Sequence, residues 1–337
     1  MLTNPVFALA IFPFGIVLIS IAVALVASIV YGFRTNADRT TLWLMGGVPT
    51  ALHVAFVWVP ALMTVALSFT KWDGIGSPSK IAFIGLKNFR RVFADHTFWQ
   101  ALWHNITWLV FLLLVPTVLG LFVAYLLDKN LRGSRIYQSV YYIPVVLSLA
   151  VVGFIWSNLM YSPSQGLINN VIGRAADGHQ IDWIGDSSRI PLLGIPKNLL
   201  AMMVAGAWRH MGYVMVLFLA GLKSVDPSLK EAAAIDGANE FQAFRRVVFP
   251  TLRPINTVVL VITVIESLRA FDIVYVVNKG RNGLELLSVL VTNNLLGEGG
   301  QSVGLGSAYG TVLLLLCAGF IIRFVTSSFK KDEEIGR

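Results

Sequence analysis

Three ionisable residues stand inside one apolar run, VIESLRAFDIVYV: Glu266, Arg269 and Asp272, each three residues from the next. Charged groups inside a hydrocarbon layer are costly, and by default they mark a pathway or a buried pair. At helical spacing Glu266 and Arg269 fall on one face and can pair there, with Asp272 continuing the face and Ser267 adding a hydroxyl beside it. The same residues read equally as an ion pair that holds this helix against another subunit. A second polar group lies in AWRHMGYVM, with Trp208, Arg209, His210 and Tyr213. His210 alone reads as a satisfied packing residue, and Asn158 in IWSNLMY as a hydrogen bonder between helices. No carboxylates or histidines cluster near a nucleotide or metal motif, as a membrane-embedded transferase requires. The single cysteine, Cys317, lies in an apolar run and reads as a small buried hydrophobe, so neither a disulfide framework nor a thiolate metal site is expected.

The elements that carry these residues are membrane helices. The chain has 337 residues, 56% of them hydrophobic and 13% charged, with a mean hydropathy of +0.71, outside the balance of a soluble domain. Its net charge of +8 is spread in short clusters between apolar runs, which fits juxtamembrane anchoring and not a nucleic-acid face. Seven runs reach the roughly 20 residues a crossing needs: 6–31, 42–69, 98–127, 138–160, 199–222, 255–277 and 303–327. Long uniform runs exclude barrel strands, so the expected fold is an all-α membrane bundle of about seven helices. The first run lacks a basic leader and exceeds a signal-peptide core, and it is read as a retained helix. Pro60, Pro116 and Pro144 are expected to bend the helices they enter. Gly304, Gly306, Ser307, Ala308 and Gly310 open the last run and are read as part of a close subunit interface. No internal inverted repeat points to an ion-coupled secondary transporter.

The most polar long segment, EAAAIDGANEFQAFRRVVFPTLRP, joins the fifth and sixth runs. Asp226 is placed to cap a helix that begins at Pro227, and Gly237 supplies a left-handed stop. Asn239 with Gln242 makes a capping-box pattern for a second helix, whose Phe241, Phe244 and Val248 share a face until Pro250 ends it. Such a pair of short helices can be an amphipathic hairpin lying on the headgroups. The order Glu231-Ala232-Ala233, Asp236-Gly237-Ala238, Phe244 and Pro250, however, resembles the EAA motif of permease subunits in binding-protein-dependent ABC importers. SFTKWDG (68–74), FIGLKNFRRVF (83–93), HNITW (104–108) and FDIVYVV (271–277) are similar to landmarks of its sugar-importer branch, the maltose-, glycerol-phosphate- and α-glucoside-type permeases. Asn278-Lys-Gly-Arg-Asn departs from that pattern after the sixth run.

That resemblance implies a type I importer permease fold: a six-helix core over 42–337, with 1–41 as an extra N-terminal helix and short cytoplasmic loop. The coupling loop is about 223–254 and the extracytoplasmic loop about 161–198. It implies that Glu231, Ala232, Ala233, Asp236, Gly237, Ala238, Phe244, Arg245 and Pro250 seat in a cleft of a separate cytoplasmic ATPase dimer. ATP and Mg belong to that partner, since this chain has no Gly-Lys dipeptide and so no phosphate-binding loop. It also implies a second permease subunit, an extracytoplasmic sugar-binding protein and a sugar passing along the fifth and sixth runs. Trp208 and Tyr213 are then candidate platforms for the apolar faces of that sugar, with Asn158, His210, Glu266, Ser267, Arg269 and Asp272 as hydrogen-bonding candidates. With the coupling loop inside a prokaryotic cytoplasmic membrane, thirteen basic residues fall inside and ten outside, a small bias in the expected direction. Five of those ten lie in KWDGIGSPSKIAFIGLKNFRRVF and oppose it.

Overall fold

The computed structural model describes residues 43–75, 81–129, 132–174, 179–191, 194–297 and 302–335, with side chains over 45–323. The expected first helix, 6–31, lies outside the described residues. Contacts divide the chain into two compact units, residues 1–95 with 291–312 and residues 96–290 with 313–337.

In the first unit, helix α1 (Met45–Leu67) contains two π-helical turns and carries Pro60 at the start of its last α-helical stretch. A short hairpin follows, β1 (Thr70–Lys71) with β2 (Ala82–Phe83), then α2 (Lys87–Ala94). Buried Asn88 fixes the hairpin by donating to the Ser68 and Thr70 carbonyls at 2.9 and 2.8 Å. Gly304 passes so close that a Cβ there would lie 2.0 Å from the Thr70 carbonyl oxygen, and one on Gly306 would meet Leu295. The small residues expected at a subunit interface are therefore used for packing inside this chain.

The second unit holds α3 (His96–Leu114), α4 (Pro116–Asp128), α5 (Ser134–Val146), α6 (Leu149–Met160), the one-turn α7 (Leu167–Val171) and α8 (Lys197–Ser224). Then come α9 (Pro227–Ile235), α10 (240–251), α11 (Arg253–Leu268) and α12 (Asp272–Asn278), while α13 (Leu287–Leu296) and α14 (Val303–Ile335) run between the units' segments. Four described helices are long and apolar enough to cross a membrane, and α5 with α6 form an apolar pair bent by 97°, a fifth span if the pair is counted as one.

The run 138–160 bends where Pro144 was expected to bend it, and it divides into two helices. Pro144 lies inside α5, the helix stops two residues later, and Ser148 restarts it by accepting from the Val151 N–H. Between α3 and α4 the break falls at Val115, because a proline at 116 cannot donate back into the preceding turn. Proline acts differently at Pro250: it sits in the first turn of the last stretch of α10, so the helix continues to Thr251 and is not ended there. The expected helix over 255–277 is also broken, with residues 269–271 leaving the helix between α11 and α12.

α8 is the axis of this unit. At one end it packs with Trp108, Val152, Trp156, Ile273 and Leu286, and at the other with Ala124, Leu127, Val248, Leu252 and Val259. Gly120 on α4 lets the two backbones meet, since a Cβ there would lie 2.9 Å from the Met211 carbonyl oxygen.

Candidate functional site

Two sites are built on this axis. The first is a cavity of about 210 Å³ beside the middle of α8. Trp108 and Leu112 of α3 form one wall, Gly206, Arg209 and His210 of α8 another, and Ile265 with Glu266 of α11 a third; the broken stretch Arg269–Phe271 with Asp272 and Ile273 completes it. Glu266 accepts from Arg209 Nη1 at 3.3 Å and meets His210 Nδ1 at 2.9 Å. His210 Nε2 lies 3.1 Å from the Thr263 hydroxyl, which itself donates to the Val259 carbonyl at 2.7 Å. The partner of Glu266 is thus on α8. The expected Glu266–Arg269 pair does not form, because Arg269 is already the residue where α11 ends and no longer shares its helical face.

The break is held by side chains from two elements: Ser288 of α13 donates its hydroxyl to the Ala270 carbonyl at 2.9 Å, and Asn105 of α3 bridges the two sides. Asn105 of α3 is fully buried; its Nδ2 donates to the Ser267 carbonyl at 2.8 Å, and its Oδ1 accepts from the Leu287 N–H at 3.0 Å. A single amide therefore satisfies a carbonyl at the end of α11 and an N–H at the start of α13, groups that lipid would leave without a partner. His104 adds a contact of 2.9 Å between its Nδ1 and the Glu285 carbonyl. Discontinuous helices are tolerated at membrane depth where they line a cavity, as this one does.

Among the other expected pathway residues, Arg269 and Asp272 line the cavity. Ser267 is fully buried with its hydroxyl on the Val264 carbonyl, so it contributes its backbone to the Asn105 contact and no side chain to the cavity. Trp208 packs edge-on against Trp156, ring centroids 6.0 Å apart, and neither it nor Tyr213 is among the lining residues. Trp108 supplies the cavity's indole instead. Asn158 is exposed and bonds to Phe154 and Ser157 of its own helix, not across helices. Asn105, Trp108 and Thr263 were not singled out for the pathway. The signal for Asn105 was its place in HNITW, where an asparagine inside an apolar run has to find partners.

The second site is the loop formed by α9 and α10. Asp226 caps α9 by accepting from the Ser228 N–H at 2.9 Å, and that amide with the Ser228 hydroxyl holds the carboxyl below its usual range. The end of α9 is a Schellman turn: Ala238 N–H reaches the Ala233 carbonyl at 2.9 Å, Gly237 N–H reaches Ala234 at 3.1 Å, and Gly237 takes φ +78°. Asn239 and Gln242 make the reciprocal capping box. These local bonds make the loop rigid. They leave Glu231, Ala232, Asp236, Gly237 and Arg245 exposed, with Ile235 87% and Phe241 68% exposed. Ala233 and Phe244 face inward, Phe244 edge-on to Tyr125 at 4.8 Å, and Pro250 is half-buried. Phe241 leaves the face it was expected to share with Phe244 and Val248: it is exposed, while Phe244 is half-buried and Val248 buried.

Residues 116–331 match the family described as binding-protein-dependent transport system inner membrane component. A probable ABC transporter permease protein of Pyrococcus horikoshii is 31% identical over 82% of this chain and 92% of its own. The trehalose/maltose transport system permease protein MalF of Thermococcus litoralis is 29% identical over 83% and 90%. The crystal structure of a bacterial ABC transporter involved in the import of the acidic polysaccharide alginate has a chain of the same fold, with a TM-score of 0.70 and 19% identity over 87% of this chain and 98% of that one. The family match over more than half of the chain, together with the relative at 31% identity, places the chain in the family of binding-protein-dependent transport system inner membrane components.

Proposed function

We propose that this chain is the permease subunit of an ABC importer for a sugar. It works as half of a membrane heterodimer in a prokaryotic cytoplasmic membrane, receives sugar from an extracytoplasmic binding protein and is driven by a cytoplasmic ATPase dimer that holds ATP and Mg. The observation that carries the reading is the loop Asp226–Thr251: two short helices, capped at Asp226 and by the Asn239–Gln242 box and joined at Gly237, presenting Glu231, Asp236 and Arg245 outward beside Ile235 and Phe241. A rigid knob of this kind can enter a cleft of another protein and be fixed in register by Glu231, Asp236 and Arg245. Closure of the ATPase then moves the loop, and the attached α8 and α11 rock between outward and inward access.

The cavity supports a polar, partly apolar cargo. Trp108 offers an indole to the C–H faces of a sugar ring, while Arg209, Glu266, Arg269 and Asp272 offer donors and acceptors to its hydroxyls. The trehalose/maltose naming of one relative supports a sugar of that class.

Affinity purification of this chain from its native membrane should bring down an ATPase, and vesicles containing the whole complex should take up labelled maltose or trehalose only with ATP. Uptake by this chain alone without ATP would overturn the proposal. Gly237→Pro and Glu231→Lys should each weaken ATPase association and uncouple transport; full transport and assembly in both would remove the coupling role from the loop.

A further inference from the structure

The loop is joined to α8 and α11 by the chain itself. It has a third attachment, to α4, and side chains make it. Lys129, at the end of α4, pairs with Glu240 of α10 at 2.5 Å, and Lys230 of α9 pairs with Asp128 of α4 at 2.9 Å. The two adjacent residues at one helix end, an acid and then a base, each hold the opposite charge on a different helix of the loop. This admits one register, because exchanging partners sets lysine against lysine and carboxylate against carboxylate. Beneath the pairs, Lys129 lies over the Tyr125 ring at 4.9 Å and Tyr125 meets Phe244 edge-on.

A cavity of about 340 Å³ lies behind the contact, lined by Leu222, Ala234, Ala238, Ala243 and Val248 inside the charged rim. The loop is therefore held to α4 at its rim and is not packed solidly against it. The exposed Lys129–Glu240 pair adds little stability, with Glu240 79% exposed, while Asp128 of the other pair is 17% exposed. A contact that served only stability would be dry and apolar; a polar one breaks and re-forms at small cost, which suits a joint. The far end of α4 is the break at Val115–Pro116, and beyond it α3 carries Trp108 and Leu112 into the wall of the first cavity.

We infer that the crossed pairs Asp128–Lys230 and Lys129–Glu240 make α4 a lever that carries movement of the loop to the Trp108–Leu112 wall of the cavity. The inference rests on the permease reading above. Asp128, Lys129, Lys230 and Glu240 are positioning residues in this scheme and touch no substrate.

The test uses the full complex in vesicles of phosphatidylethanolamine and phosphatidylglycerol, with Cys317→Ala and the reporter Leu112→Cys in this chain. Alkylation of the reporter by N-ethylmaleimide is timed with and without ATP and vanadate. Asp128→Lys with Lys129→Glu makes both pairs repulsive at unchanged net charge; the nucleotide-dependent change in alkylation should be lost while ATPase activity remains. Adding Lys230→Asp and Glu240→Lys restores both pairs and should restore the change. Persistence of the change in the first variant, or no restoration in the second, would overturn the lever. Loss of ATPase association in the first variant would reassign the pairs to docking and overturn it too. Absence of bound ATPase activity in the complex with all four charges native would overturn the permease reading, and the lever with it. ATPase activity without any nucleotide-dependent change at the reporter would overturn the lever alone.

Discussion

Replacing Asn105 by leucine keeps its shape and removes its amide. In the structure that amide satisfies the Ser267 carbonyl and the Leu287 N–H, both in a fully buried setting, while its second carbonyl contact, to Leu268 at 3.5 Å, is too long to count. Each buried group left unpaired costs about 1–3 kcal/mol, so the two together cost about 2–6 kcal/mol of local stability at the break. At about 1.4 kcal/mol per factor of ten, the lower figure corresponds to roughly 30-fold more frequent opening. Hydrogen–deuterium exchange of the purified protein in lipid nanodiscs reads this directly on a peptide containing Leu287, with a peptide from the 214–222 end of α8 as the internal control. Asn105→Asp keeps an acceptor for Leu287 and loses the donor to Ser267, so it should open the end of α11 more than the start of α13. If exchange at Leu287 in Asn105→Leu rose by less than about threefold, the freed groups would be finding other partners, and Asn105 would not be what holds the break.

Glu266→Gln removes the charge that faces Arg209, whose Nε already has no partner; with side chains 25% and 35% exposed the cost should be about 1–3 kcal/mol, below that of a fully buried pair. An unchanged melting midpoint of the purified chain would refute it. Asp186 is held at about 2 by Lys197 and Ser188, below its ordinary 3.8. A depressed carboxyl stabilises above its unfolded value, so the order of loop 179–198, followed by Trp183 fluorescence, should hold above pH 3.8 and decline as pH falls toward about 2. Asp186→Asn should remove that part of the profile, and an unaltered profile would count against the assignment. Gly304→Ala drives a methyl against the Thr70 carbonyl and should cost about 1–3 kcal/mol, whereas Gly319→Ala meets nothing within 4 Å and should be neutral or stabilising. Equal melting temperatures for the two variants would contradict the close approach.

The loop between α8 and α11 was legible because its bonds are local. Asp226 caps a turn that starts one residue later, Gly237 needs a positive φ whatever surrounds it, and Asn239 and Gln242 satisfy each other across three residues. The apolar runs were legible for a similar reason, since length and composition alone decide whether a segment can cross a membrane. Continuity within a run was less legible. The expected helix over 255–277 is two helices, with the carbonyls at the interruption partnered by Asn105, more than 150 positions earlier, and by Ser288.

The pairing of charges was decided further still from the sequence. Glu266 had a plausible partner three residues away in Arg269, yet it pairs with Arg209 and His210 on α8, because the helix ends before Arg269 can share its face. Trp108 and not Trp208 faces the cavity, since packing against Trp156 occupies the latter. By itself the sequence determined a multi-helix membrane chain with a capped, rigid loop between two of its helices. Only the tertiary structure decided that the run 255–277 breaks, which charges meet and where the cavity lies, because those outcomes depend on groups that the chain brings together from far apart.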